Sequence, residues 1–348
     1  MAYTTIDDPS AYFQAVIHSA NNTATITNDG NSDLKPDLLW SKSRTASHNH
    51  GLYDSTRGVT KFLSSNATSA ETTASAGFDL TSFNTDGFST GNNQYNTICG
   101  NTGYVAWQWK ANGGTTATNN DGNRTTTVQA NTTAGFSIVT YLSNGSASNQ
   151  TLGHGLGVAP DVIISKRRGA TTDWLVYHKS LGVGSIIYLN SSAASSTSSP
   201  PYKDTPTSTV FSTQNQFQST DNFVSYCFAE KQGYSKFGKY VGNGNANGPF
   251  VYTGFKPAMV IMKRTDSTGS WHLFDNKRLG YNINNNVLLS DSNGAELAGA
   301  TYPFVDILSN GFKPRRATYD PNVSGATYIF AAFAENPFVA GGIPTTAR

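Results

Sequence analysis

One phrase recurs three times and constrains the fold more than any other feature. Over residues 254–275 the chain reads G-F-K-P-A-M-V-I-M-K-R, then a polar turn, then W-H-L-F-D. A turn from Gly254 to Pro257, an apolar run ending on Lys263 and Arg264, a second turn through Gly269 and a run from Trp271 to Asp275 predict a β-hairpin. The pattern returns from Pro160 to Lys166 and Arg167 with Trp174 and Tyr177, and from Pro36 to Lys42 and Arg44 with His50, Tyr53 and Asp54. Three apolar runs, beginning at Tyr104, Phe223 and Tyr328, close the three units. The expected fold is therefore all-β, with three tandem β-sandwich or jelly-roll repeats of about 100 residues, within the usual size of a domain.

The expected units are 1–111, 112–235 and 236–348. The second opens on a low-complexity linker, where Ala111 to Gly135 is low in bulky side chains and predicts a flexible boundary, its β-favouring second half from Thr125 also suiting a first strand of the second unit. Only Ala229 to Ser235 separates units two and three, which are expected to pack directly on each other. The tail after Pro337 is expected to be irregular. Six or seven short strands per unit, separated by turn residues, predict a compact sandwich.

Composition narrows the function classes. Charged residues make up 13% of the chain and aromatic residues 12%, so the exposed faces are expected to be polar and uncharged. A net charge of +2 without a block of like charges gives no footprint for nucleic acid or an anionic membrane. No apolar run is long enough to span a bilayer and the N-terminus lacks a leader pattern, so a soluble product made in the cytosol is expected. Cys99 and Cys227 fall at non-matching places in different repeats, which predicts free thiols.

Several residue groups have chemical potential. The basic pairs Lys42/Arg44, Lys166/Arg167 and Lys263/Arg264 end the first hairpin strand and suit either an anionic ligand or a solvated strand end. Trp174 and Trp271 share a repeat position, with His50 in the first copy, and suit sugar stacking or core packing. His48 and His50, two residues apart, would face one side of a strand and suit a metal only with further ligands. Asp7, Asp8, Glu71, Asp266, Glu296 and Asp306 are scattered, and no nucleophile elbow, phosphate-cradling loop or metal-ligand pair accompanies them. No catalytic residue, metal site or cofactor is assigned, and a binding role is expected to reside in loops 21–32, 191–207 and 291–303.

The phrases at Pro36–Arg44, Ser82–Phe88, Tyr104–Ala111, Gly233–Gly244, Pro257–Asp275 and Phe333–Phe338 resemble a group of virion proteins of tailed bacteriophages, many from marine hosts. Members are described as tail-fibre-like or lectin-like, with concanavalin-A-like jelly-roll repeats. The resemblance implies a multi-copy, non-enzymatic virion structural protein, tail-associated or receptor-binding. Its expected partners are other virion proteins and a host-surface glycan or protein, with a homotrimer as one arrangement. A capsid decoration or head-fibre protein and a cell-surface polysaccharide depolymerase are the alternatives. Fibres generally carry an N-terminal anchor and a shaft, whereas repeat one starts close to Met1, so docking directly through one of the domains is expected.

Overall fold

The apolar runs that end on Lys42, Lys166 and Lys263 each become the middle of a sheet. In the computed structural model, which describes residues 4–145, 150–217, 219–279, 282–284, 286–299, 305–317, 320–340 and 343–344, they form strands Leu38–Ser43, Val162–Arg167 and Phe255–Arg264. Each pairs on one side with a closing strand (Tyr104–Trp109, Asn222–Phe228, Thr327–Pro337) and on the other with its hairpin partner (Gly51–Asp54, Leu175–His178, Trp271–Asp275). An outer strand lies beyond each closing strand (Phe13–His18, Phe136–Leu142, Ser235–Val241), and a short strand lies beyond each hairpin (Lys61–Leu63, Ile187–Tyr188, Leu288–Leu289). The five-strand order is the same in all three sheets, every pairing is antiparallel, and the register corresponds: Leu38 faces Trp109, Val162 faces Phe228 and Met259 faces Phe333. The fold is all-β; among the described residues the helical elements are the two single 3-10 turns Pro9–Ala11 and Asn215–Phe217.

A smaller sheet covers one face of each large one. These are Ala24–Ile26 with Phe88–Thr90 and Leu80–Phe83; Gln150–Gly153 with Val210–Thr213; and Val251–Tyr252 with Gly311–Pro314 and Val305–Leu308. Three separate apolar clusters fill these sandwiches. The opposite faces of the three large sheets meet in a fourth cluster to which every repeat contributes, from Trp40 and Trp107 through Trp174 and Tyr226 to Ile261 and Trp271. Being covered on both faces, Leu38–Ser43 and Tyr104–Trp109 are buried at every position instead of alternately.

At the centre three register-equivalent rings touch: Trp109 lies 6.2 Å from Phe228 and 5.4 Å from Phe333, and those two lie 5.6 Å apart, centroid to centroid. Because Phe333 packs against all three repeats, Phe333→Ala should cost about 3–5 kcal/mol. The loss should appear as a lower midpoint of one transition in scanning calorimetry; three independent transitions would contradict a shared core.

The glycine-rich stretch expected as a flexible boundary is held along its length. The amides of Ala111 and Gly113 donate to Asp37, that of Gly114 donates to Gln129, and Ala117–Asn119 pairs with Thr126–Asn131 to extend the second sheet. The reason is that Asp37 and Gln129, remote in sequence, supply acceptors that composition does not reveal. In the tail, Val339–Ala340 pairs with Ile343–Pro344.

Candidate functional site

The residues with chemical potential assemble into three joints between repeats, related as the repeats are. Trp174 donates its indole N–H to the Ser64 carbonyl at 2.8 Å, and Trp271 donates to the Tyr188 carbonyl at 2.9 Å. His50 Nε2 lies 3.0 Å from the Leu289 carbonyl. Ser64, Tyr188 and Leu289 are register equivalents, each following the residue that pairs with Leu52, Val176 or Leu273. Repeat one thus clasps two, two clasps three and three clasps one, closing a ring. In repeat one the indole has moved to the neighbouring strand, where Trp40 donates to His50 Nδ1 at 2.8 Å. That bond makes Nδ1 the acceptor and leaves the His50 proton on Nε2, facing Leu289.

The three lysines are neither solvated strand ends nor an anion site, because all are fully buried. Lys166 donates to the carbonyls of Thr68 and Thr172, Lys263 to those of Ser192, Ala193 and Arg264, and Lys42 to Ser43 at 2.7 Å. Burial pulls each ammonium down to about 8. Two of the three reach a loop of the preceding repeat, so their burial was hidden from any reading of one strand alone.

Two of the joints also contain buried ion networks. Asp54 binds Arg57 and accepts from the Tyr226 hydroxyl at 2.8 Å; Arg57 reaches Glu71 at 3.0 Å, and Arg168 of repeat two grips Glu71 at 2.8 and 2.9 Å. The equivalents are Asp275, Arg278, Glu296 and Arg44, with the Trp107 indole donating to Asp275 at 3.1 Å. The middle joint has His178, Leu181, Ser195 and Thr265 at these positions, and there Ser195 donates to the Thr265 carbonyl from both its amide and its hydroxyl. Glu71 and Glu296, the scattered acids of the sequence, are therefore structural. Asp266 and Asp306 pair with Arg264 and Arg315, and Asp8 caps the turn at Ser10.

His48 is half-buried beside the joint and does not join His50 in a ligand set; among the described residues no group of three His, Cys, Asp or Glu is placed to hold a metal. Cys99 and Cys227 are free and buried, and burial pushes the Cys99 thiol up to about 12. Two of the expected binding loops are partly committed, since Ser192 to Ser195 and Ser292 to Glu296 are clasps; the clasp of repeat one, Thr68 to Glu71, lies outside loop 21–32. Residues 300–303 of the third loop lie outside the described residues.

One hollow left open, of about 230 Å³, lies on repeat two. Leu175 and Phe223 floor it, Tyr188 walls it, and Arg167, Thr172 and Asp173 rim it. Asp221 at 2.7 Å and Ser219 at 2.8 Å fix the Arg167 guanidinium, and the Asn190 amide donates to Asp173 at 2.8 Å. An aromatic wall beside a fixed guanidinium, a hydroxyl and a carboxylate suits the apolar face and hydroxyl edge of a sugar ring. The register-equivalent positions of Tyr188 are Ser64 and Leu289, so the hollow has its aromatic wall in repeat two alone. Tyr188 and Asp173 carry no signal in the repeat pattern, because the other two repeats do not share this hollow.

Among the described residues no helix is long and apolar enough to cross a membrane. No curated protein and no solved structure matches the chain. One family, described as "Domain of unknown function (DUF7483)", matches residues 8–337, a single span that takes in all three joints. The chain belongs to that DUF7483 family.

Proposed function

We propose that this protein is a non-enzymatic structural component of a tailed-bacteriophage virion, tail-associated, that meets a host-surface glycan or protein through its loop-borne surface. The virion assignment rests on the phrases from Pro36–Arg44 to Phe333–Phe338 that resemble such proteins. The observation that carries the binding role is the division of labour among the side chains. The lysines, tryptophans, His50 and the Glu71 and Glu296 networks are used in holding the ring together, while Tyr188 with Arg167 and Asp173 stands open on one repeat. A single weak sugar contact gains strength from many copies on one particle.

The test combines position and binding. Electron microscopy of intact particles should place the protein at the tail in tens of copies at most, and Tyr188→Ala should lower host adsorption about tenfold or more, the loss of one aromatic stacking contact multiplied over several sites. An even spread over the capsid with unchanged adsorption would instead favour a decoration protein. Haloes on host lawns would favour a depolymerase.

A further inference from the structure

The three repeats differ at one position in a way that opens a second site. After the proline of each hairpin stand Asp37, Asp161 and Ala258. These are equivalent, because Ser55, Lys179 and Asn276 donate their amides to the carbonyls of these residues at 2.9, 2.8 and 2.8 Å. In repeat one the Asp37 carboxylate accepts from the Ser55 hydroxyl at 2.7 Å and from the amides of Ala111 and Gly113. In repeat two Asp161 accepts from the Glu230 amide at 2.6 Å and pairs with Lys179 at 3.1 Å. Each carboxylate ties the residue that follows its hairpin to the chain leaving its closing strand, and so fills the corner.

Repeat three has no carboxylate there, and the corner is a cleft of about 250 Å³ lined by Ala258, Asn276, Lys277, Glu335 and Asn336 together with Asp29 of repeat one. Asn276, 6% exposed, keeps Oδ1 buried with no protein partner. A buried amide end without a partner is costly to leave unpaired, so an occupant that bonds to it is favoured over one that does not. The vacancy left by one missing side chain and the unpartnered amide are separate observations pointing to one place.

We propose that this cleft binds a small, neutral, hydroxyl-rich molecule the size of one sugar ring or polyol. Size comes first: the cleft is below the roughly 300–1,000 Å³ of a drug-sized site. Charge comes next. Lys277 is held by Asp29 at 2.7 and 2.8 Å, and Lys256 stands 3.6 Å from Glu335, so acids and bases balance and neither an anion nor a cation finds a surplus. Hydroxyl groups both donate and accept, which suits a lining of amides, carboxylates and one ammonium. Phe13, Ala15, Ala258 and Ala334 offer an apolar floor for the carbon face of such a ring. The site is independent of the Tyr188 hollow, which lies on a different repeat.

The experiment restores the missing side chain. Full-length protein and its Ala258→Asp, Asn276→Ala and Tyr188→Ala variants are titrated by saturation-transfer NMR with glucose, galactose, mannose, N-acetylglucosamine and glycerol, and with glucuronic acid and glucosamine as charged probes. At least one neutral probe should bind, at least tenfold more tightly than both charged ones. Ala258→Asp should weaken it tenfold or more by refilling the corner, Asn276→Ala should weaken it by a similar factor, and Tyr188→Ala should leave this binding unchanged. No neutral probe bound at millimolar concentration, tighter binding of a charged probe, or full binding by Ala258→Asp and Asn276→Ala would each overturn the proposal. Should Ala258→Asp not fold, Asn276→Ala alone decides. Loss in Tyr188→Ala alone would leave the hollow on repeat two standing and remove the cleft.

Discussion

Replacing Arg57 by methionine should destabilise the whole chain by about 3–5 kcal/mol, a third or more of the stability of a typical domain. The side chains of Arg57 and Asp54 are both fully buried, and Glu71 beside them is nearly so. Removing the guanidinium leaves Asp54 without its partner and strips donors from Glu71 and from the Leu52 carbonyl, which Arg57 also binds at 2.9 Å. The cost is that of an uncompensated buried charge, not the net worth of a pair. Burial pushes the Glu71 carboxyl up, but Arg168 and Arg57 outweigh it and hold the group below the usual range, so the acid stays ionised and needs its cations. Urea unfolding followed by tryptophan fluorescence measures the loss, and a change under 1 kcal/mol would show the network to be dispensable.

The middle joint supplies the control. It closes with His178, Leu181, Ser195 and Thr265 where the first has Asp54, Arg57, Glu71 and Arg168, and Leu181 packs against the central core. Replacing a buried ion network as a unit by apolar and neutral groups is often neutral or stabilising, whereas removing one member is not. Transplanting all four residues into the first joint should therefore recover most of what Arg57→Met loses. The two charged joints are thus a choice of partners between repeats: Glu71 is read by Arg168 and Glu296 by Arg44, which makes mispairing of three similar sheets costly.

The hairpins were legible in the sequence because each is bounded locally, by a proline before the apolar run and a polar turn after it, and local rules suffice there. The closing strands were legible for the same reason, and Trp107, Trp109, Tyr226, Phe228, Phe330 and Phe333 are all buried as their apolar runs predict. The burial of Lys42, Lys166 and Lys263 was not legible. An ammonium at a strand end reads as solvated unless the carbonyls that receive it are known, and for Lys166 and Lys263 those belong to loops 98 and 71 residues away in sequence. The shared central cluster was hidden likewise, since a strand buried on both faces and one buried on a single face differ only in the polar positions between the large residues. Ser41, Ser165 and Ser225 occupy such positions and are buried. As for the candidate site, Tyr188 and Ala258 matter because they break the repeat, and only the register identifies which residues they depart from.

Acidification from pH 6.5 to 4.5 should remove on the order of 6 kcal/mol of stability, about 2 from each of three histidines, a large share of what holds a typical domain folded. Every histidine of the chain is held below its ordinary value with burial as the main cause: His50 at about 3, His18 and His178 at about 4, and His48, His154 and His272 lowered as well. A histidine whose folded value is depressed is neutral in the native state and charged in the unfolded one between the two values, so stability is complete above the unfolded value near 6.5 and falls as pH drops towards the folded value. Each such group contributes about 1.4 kcal/mol per pH unit across that window. Carboxylates held low by partners, such as Glu71 and Glu230, act in the same direction but only below their unfolded range near 4.5, which separates the two effects. Urea midpoints measured between pH 7 and 4.5 should therefore fall steeply from about pH 6, and His178→Asn should flatten the slope by roughly a third of the three-histidine value. His178 faces the Phe330 carbonyl across the middle joint, where Lys179 disfavours its charged form and no carboxylate contributes to its shift. A pH-independent midpoint down to 4.5 would mean that these imidazoles gain protons without opening the ring.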